Sequence, residues 1–215
     1  MLEGCGKLES MTIPFVGGCT YDYPLTEEEK DAIEGGDAVH PAESTGYLGY
    51  LFGASHYTFT AGYLPASLIT VTVLEGCESI PANAFFECAS VREFILPATV
   101  TTIGRRAFYG CEALSKMTIP ASVTSIGQEA FSYSALTEIT LPASVTTLDW
   151  YVFMHCGSLE RITFLGDVPS METFMLFGNI TADVHYPVTN PTWTADVIEQ
   201  DYGGNITWVP DGEIL

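Results

Sequence analysis

Apolar residues recur along this chain at a nearly fixed interval. Phe85, Phe108, Phe131 and Phe153 are spaced 23, 23 and 22 residues apart, and each follows an aliphatic residue by five positions: Ile80, Ile103, Ile126 and Leu148. Three residues before each aliphatic stand Cys77, Val100, Val123 and Val145, and six before stand Leu74, Pro97, Pro120 and Pro142. The clearest unit runs Cys111, Leu114, Met117, Ile119, Pro120, Val123, Ile126, Gly127, Ala130, Phe131. Met117 and Ile119 alternate with the period of two that puts both side chains on one face of a strand, and the proline directly after them stops the ladder. The pattern predicts one short strand per unit. Beyond it, the aliphatic pair at spacing three turns the chain back, and Phe plugs the interior at the end of a short helical or 3₁₀ turn. No single coil buries these faces alone, so stacked coils must align Phe on Phe, with parallel strands along one side. That is a solenoid.

The repeats occupy residues 67–165, with a partial N-terminal repeat in 1–14, where Cys5, Leu8, Met11, Ile13 and Pro14 share the phase. Before Phe85 the frame reads Leu68, Val71, Val73, Leu74, Cys77 and Ile80, although Pro65 to Leu68 also mimics Pro120 to Val123. The unit after Phe131 is one residue short and carries Tyr133 where its neighbours carry Cys. Residues 15–66 form an aromatic and acidic insertion, too long for a structureless loop in a compact domain. Within it Thr26 and Glu29 make a capping box, with Gly35 and Gly36 as a stop, which predicts a short acidic helix near 27–34. The insertion has two readings: a structural flap, or a ligand-contacting loop with Tyr47, Tyr50 and Tyr57 as its anchors. After Leu165 the pattern decays, and 166–215 reads as a C-terminal cap in which Trp193, Tyr202 and Trp208 close the open core.

Composition narrows the function classes. With 27 Asp and Glu against 7 Lys and Arg the net charge is −20, yet 47% of residues are hydrophobic, so the chain has a core and is not a disordered one. Such a charge argues against nucleic acid and against anionic membrane surfaces, both of which need clustered basic residues. No run of 18 apolar residues predicts a membrane span, and the start of this chain lacks the basic and apolar regions of a signal peptide.

The repeat unit resembles the leucine-rich repeats of the BspA-like bacterial surface family, whose hallmark is L-xx-I-x-I-P-xx-V-xx-I-G-xx-A-F-xx-C. Residues 114–131 and 91–108 match it best. Stretches 47–53 and 192–208 also look like segments that accompany such repeats. The resemblance implies a right-handed β/α superhelix, mostly β with short helical turns and with its parallel strands on the concave face. It further implies a secreted or surface-attached bacterial protein used for adhesion or protein interaction, with no defined chemistry.

Candidate chemistry in the residues is sparse. Cys88, Cys111 and Cys156 share a phase with Cys5 and so line up in the core as buried free thiols; a disulfide between Cys88 and Cys111 would need side chains that converge, whereas stacked equivalents point in parallel. The four histidines lack ligand spacing, no nucleophile elbow is present, and Gly4 to Lys7 lacks the first Gly and the Ser/Thr of a phosphate loop, so neither a metal, a cofactor nor a catalytic residue is expected. No two acids stand where the repeat does not already make them solvent-facing. The expected binding face consists of outward strand positions: Thr118, Thr140 and Thr163, bordered by Lys116, Glu138 and Arg161, with Arg92 nearby. A threonine column is first of all good strand surface. As a site, its basic residues would make the sheet less acidic than the rest and admit an acidic partner. The resulting expectation is a non-enzymatic recognition scaffold for a protein or glycan; the alternatives are a structural spacer and, further off, a hydrolase.

Overall fold

A computed structural model of the chain describes residues 7–13, 48–52, 60–171 and 175–212, without the side chain of Tyr50. The expected helix near 27–34, Tyr47, Tyr57, Cys5 and Cys19 lie outside the described residues.

The strands form where the sequence alternates. They are β1 Ser10–Ile13, β2 Thr70–Val73, β4 Glu93–Ile95, β6 Lys116–Thr118, β8 Glu138–Leu141, β10 Arg161–Phe164, β12 Thr181–Pro187 and β13 Asn205–Asp211. All pair in parallel, in two sheets of order β1-β2-β4 and β6-β8-β10-β12-β13. Thus Met11 and Ile13 stand against Val71 and Val73 in register, although the starts of the two strands are 60 positions apart in sequence, with the insertion between them. The ladder opens between β4 and β6. There Phe94 replaces the smaller Val, Met or Ile of its equivalents, and its ring wedges between Phe85 at 4.6 Å and Phe108 at 5.0 Å.

Each coil also contains a second strand, where the sequence predicts one only. The aliphatic pair does not merely turn the chain: β3 Ser79–Ile80, β5 Thr102–Ile103, β7 Ser125–Ile126, β9 Thr147–Leu148 and β11 Ser170–Met171 form their own parallel sheet. Two residues are too few to display an alternation, so this sheet is invisible to periodicity.

The third side of each coil carries the phenylalanines, on hydrogen-bonded turns rather than short helices. Phe85, Phe108 and Phe131 donate their N–H groups to Ala107, Ala130 and Val152 of the next coil at 2.8, 2.8 and 3.0 Å. Two residues to either side, the backbone is left-handed at Asn83, Arg106, Glu129 and Tyr151, and at Glu87, Gly110, Tyr133 and His155. This alternation aims every second N–H along the solenoid axis; Arg106 reaches Gln128 O at 2.8 Å and Gly110 reaches Ser132 O at 2.9 Å. Left-handed geometry costs about 1–2 kcal/mol at a residue with a Cβ, and the inter-coil bonds offset it. Short helices α1 Leu48–Leu51, α2 Thr60–Tyr63 and α3 Ala195–Ile198 complete the described elements. Leu48 donates to Ala84 O at 2.7 Å, the same bond that each Phe makes to the following coil, so α1 fills the place of a preceding turn.

The core is a column of rings. Phe85, Phe108, Phe131 and Phe153 are fully buried and stack at 5.2, 5.4 and 5.9 Å. The stack continues beyond Leu165: Phe177 lies 6.3 Å from Phe153, and β11, β12 and β13 extend both sheets through residues that the decaying pattern assigns to a cap. Trp193 and Trp208, 5.8 Å apart, then close the end with Tyr186 and Tyr202, the indole N–H of Trp193 donating to Gly166 O at 3.0 Å.

The thiols form a second column. Cys88, Cys111 and Cys156 are free and buried, and Cys111 and Cys156 donate to the carbonyls of Phe85 and Phe131 at 3.3 and 3.0 Å. In the short unit the residue in this column is Ser134, not Tyr133. Ser134 is buried 3.4 Å from Cys156 Sγ, and its N–H bonds Phe131 O as Cys111 N–H bonds Phe108 O. The missing residue therefore belongs to the turn after Ser134, and Tyr133 projects outward at 45% exposure. Burial pushes all four described thiols, Cys77 included, above their ordinary range, so little reactive thiolate is present. In the native protein a thiol reagent is expected to modify at most the other two of the six cysteines. Unfolding without reductant should then expose all four; absence of free thiols at that stage would contradict the column.

Candidate functional site

The outward positions of the long strands and the loops that follow them enclose a shallow groove of about 820 Å³. Its floor is Ile95, Thr118 and Thr140, with Thr118 and Thr140 directly opposite one another in β6 and β8. One wall is apolar: Pro120, Pro142 and Leu165 hold the same position after their strands in successive coils, and Leu96, one position earlier in its own coil, adds to it. Ile95 and Leu165 are 47% and 56% exposed, large for aliphatic side chains in a repeat whose inner positions are sealed. The prolines come with the repeat, since each ends a strand; the sequence shows them as strand stops and not as a wall, because only stacking lines them up.

The opposite wall is charged. Glu93, Lys116 and Glu138 line it, and Arg161 and Asp183 continue the same row in β10 and β12. Lys116 Nζ donates to Glu138 Oε1 at 2.7 Å, and this hydrogen bond, then the lysine's charge, holds the Glu138 carboxyl below its ordinary pKa. What stability the pair contributes is thus present at neutral pH and is lost as the pH falls through that lowered pKa. Arg161 stands in register between Glu138 and Asp183. Negative and positive residues therefore alternate along the row, which does not support the expected attraction of an acidic partner: each basic residue has carboxylates beside it. For the same reason the double change Lys116→Glu and Arg161→Glu is not neutral to stability. It would leave five carboxylates in a row, like charges directly across a sheet are unfavourable, and the melting temperature is expected to fall at low salt and recover in high salt. Equal melting at both ionic strengths would contradict the row.

Of the remaining expected site residues, Arg92 is exposed just before β4, and Thr163 is half-buried beside His185 in register. His185 Nδ1 lies 2.7 Å from Asp211 Oδ1 of the last strand, a tether that no motif announces. Arg106, on the third side of the coil, forms a two-pronged pair with Glu129 at 2.6 and 3.2 Å. Tyr47 and Tyr57 lie outside the described residues, as does the side chain of Tyr50. Among the described residues there is no group of three or more metal-ligating side chains, and no helix is long and apolar enough to cross a membrane.

Parallel coils, a buried aromatic column and an outward strand face together define a leucine-rich solenoid of about six turns. More narrowly, the pattern of the BspA type leucine rich repeat region matches residues 57–185 in six copies, and the chain belongs to that family. Among solved structures it is similar to a leucine-rich repeat protein from Bacteroides ovatus, with 27% identity and a TM-score of 0.48 over 67% of this chain; the match spans 38% of that chain's length. A leucine-rich repeat protein of T. pallidum shares 21% identity at a TM-score of 0.47, covering 65% of this chain and 73% of the other. A leucine rich cell surface protein from Faecalibacterium prausnitzii shares 21% at a TM-score of 0.30, covering 57% and 56%. No curated protein matches the chain.

Proposed function

We propose that the chain is a non-enzymatic recognition module of a secreted or surface-attached bacterial protein, and that it binds a protein or glycan through the outward face of its long strands. The observation that carries this reading is the groove: an apolar wall ending in exposed Leu165 runs beside a floor of exposed Ile95 and hydrogen-bonding Thr118 and Thr140, over a sealed core. An exposed apolar strip rimmed by polar groups is the usual mark of a protein interaction surface. Family membership supports the surface location.

The test is a screen of immobilised host matrix proteins and glycans for saturable binding, repeated with the double variant Thr118→Arg, Thr140→Arg. A hit that the variant abolishes is the expected result. Binding that survives it but is lost on changing Tyr47, Tyr50 and Tyr57 to Ala would move the site to the insertion. No saturable binding across the screen would favour a spacer.

A further inference from the structure

The charged wall of the groove is balanced in its middle and open at its ends. Glu93, Lys116, Glu138, Arg161 and Asp183 hold equivalent outward positions on five adjacent long strands. Lys116 is bound to Glu138, and Arg161 stands in register between Glu138 and Asp183 without an ion pair to either. At the ends, Glu93 on one side and Asp183 with its neighbour Glu160 on the other enter no ion pair among the described residues. Asp183 and Glu160 share a small polar hollow of about 350 Å³ with Glu138, Lys116 and Arg161, three carboxylates to two basic side chains.

Three paired strand intervals of about 4.8 Å and the unpaired interval from β4 to β6, which is no narrower, separate β4 from β12, so the two open ends lie at least about 19 Å apart. An extended chain advances about 3.3 Å per residue and so covers about 20 Å in six. Six is even, so side chains at i and i+6 of an extended segment point to the same side, while those at i+1, i+3 and i+5 point to the other. The groove has this two-sided character. A segment laid along Ile95, Thr118 and Thr140 and carried on past Thr163 would have Glu93 at one end of the charged side and Asp183, beyond the groove in the neighbouring hollow, at the other, with Pro120, Pro142 and Leu165 along the opposite side. The net charge of −20 steers cations toward the molecule as a whole.

We infer that the groove takes an extended segment of a partner protein lying across the strands, with Lys or Arg at i and i+6 beside Glu93 and Asp183, and apolar residues at i+1, i+3 and i+5 against the proline wall. This rests on the strand face being the binding surface and goes further by giving the chemistry of what binds there.

The probe is a fluorescently labelled peptide containing Arg-Leu-Ser-Val-Ser-Leu-Arg, titrated with the full chain and followed by anisotropy. Saturable binding is expected, weakening as salt is raised. A peptide with Glu in both Arg positions, or with the two Arg three residues apart, should bind at least about tenfold more weakly. The double variant Glu93→Gln, Asp183→Asn should lose about tenfold for the parent peptide while keeping its melting temperature, since both side chains are exposed. Equal binding of the Glu peptide, indifference to the double variant, or no binding at all would overturn the inference. If the peptide fails while a partner from the screen is lost on Thr118→Arg, Thr140→Arg, the strand face stands and only its assigned ligand falls. If the screen also yields nothing sensitive to that variant, the strand-face reading falls with it.

Discussion

Replacing Phe108 by Ala is expected to lower the unfolding free energy by about 3–5 kcal/mol. The ring has no exposure, stacks on Phe85 and Phe131 at 5.2 and 5.4 Å, and meets the edge of Phe94 at 5.0 Å. Its removal takes away the buried transfer free energy and leaves a cavity that the surroundings are poorly able to close, because the coils on either side are held apart by their own hydrogen bonds. The N–H of Phe108 remains tied to Ala130 O at 2.8 Å whatever the side chain, so the backbone does not collapse into the space. For a chain of this length such a loss corresponds to a fall in melting temperature of roughly 10 °C. Repeat proteins are stabilised by nearest-neighbour interfaces, so a hole in the middle of the column should also loosen the coupling of the two halves and broaden the transition. Phe108→Leu should recover part of the loss. A melting temperature that does not move on Phe108→Ala would mean that the column is not the core.

The second large effect is expected from adding a single carbon at Gly104. A Cβ there would lie 2.7 Å from Ala82 N, 2.8 Å from Pro81 C and 2.9 Å from Ile80 O, all backbone atoms of the preceding coil. Flexible side chains are not available to move aside, so the coil itself must shift, and overpacking of this kind costs about 1–3 kcal/mol. The same contact recurs one coil on, where a Cβ at Gly127 would lie 2.8 Å from Arg105 N. The fourth coil sets a bound on the penalty. Asp149 holds the equivalent position there, and its N–H reaches Ile126 O at 3.1 Å, against 2.8 Å for the bonds of Gly104 and Gly127. A side chain is therefore tolerated where the coil can relax by a few tenths of an ångström, and Gly104→Ala should destabilise without preventing folding. Melting of Gly104→Ala and Gly127→Ala measures this; wild-type stability in both would show that the coils are not in close approach.

The sequence alone determined the coil length, the phase and the two buried columns. Phe and Cys announce themselves because they recur at the same step and because stacking leaves no other place for an apolar residue that each coil repeats. It also determined which strand residues face outward, since alternation needs only three or four residues to be read, and β8 shows it plainly in Glu138, Ile139, Thr140 and Leu141. Tertiary structure decided whatever depends on residues of different coils meeting. The second sheet exists only as pairing between two-residue segments. The left-handed residues flanking each Phe are set by hydrogen bonds to the next coil, not by residue type, so Arg106, Glu129 and Tyr151 gave no local sign of them. Ser134 entered the thiol column because the short unit loses its residue from the turn after that position. Phe177, β12 and β13 joined the stack although their spacing had drifted. The groove came from the same cause: Pro120, Pro142 and Leu165 become one wall, and Glu93 to Asp183 one alternating row, only when stacking sets residues some 22–23 positions apart side by side, and register, not proximity in sequence, decides which charges meet.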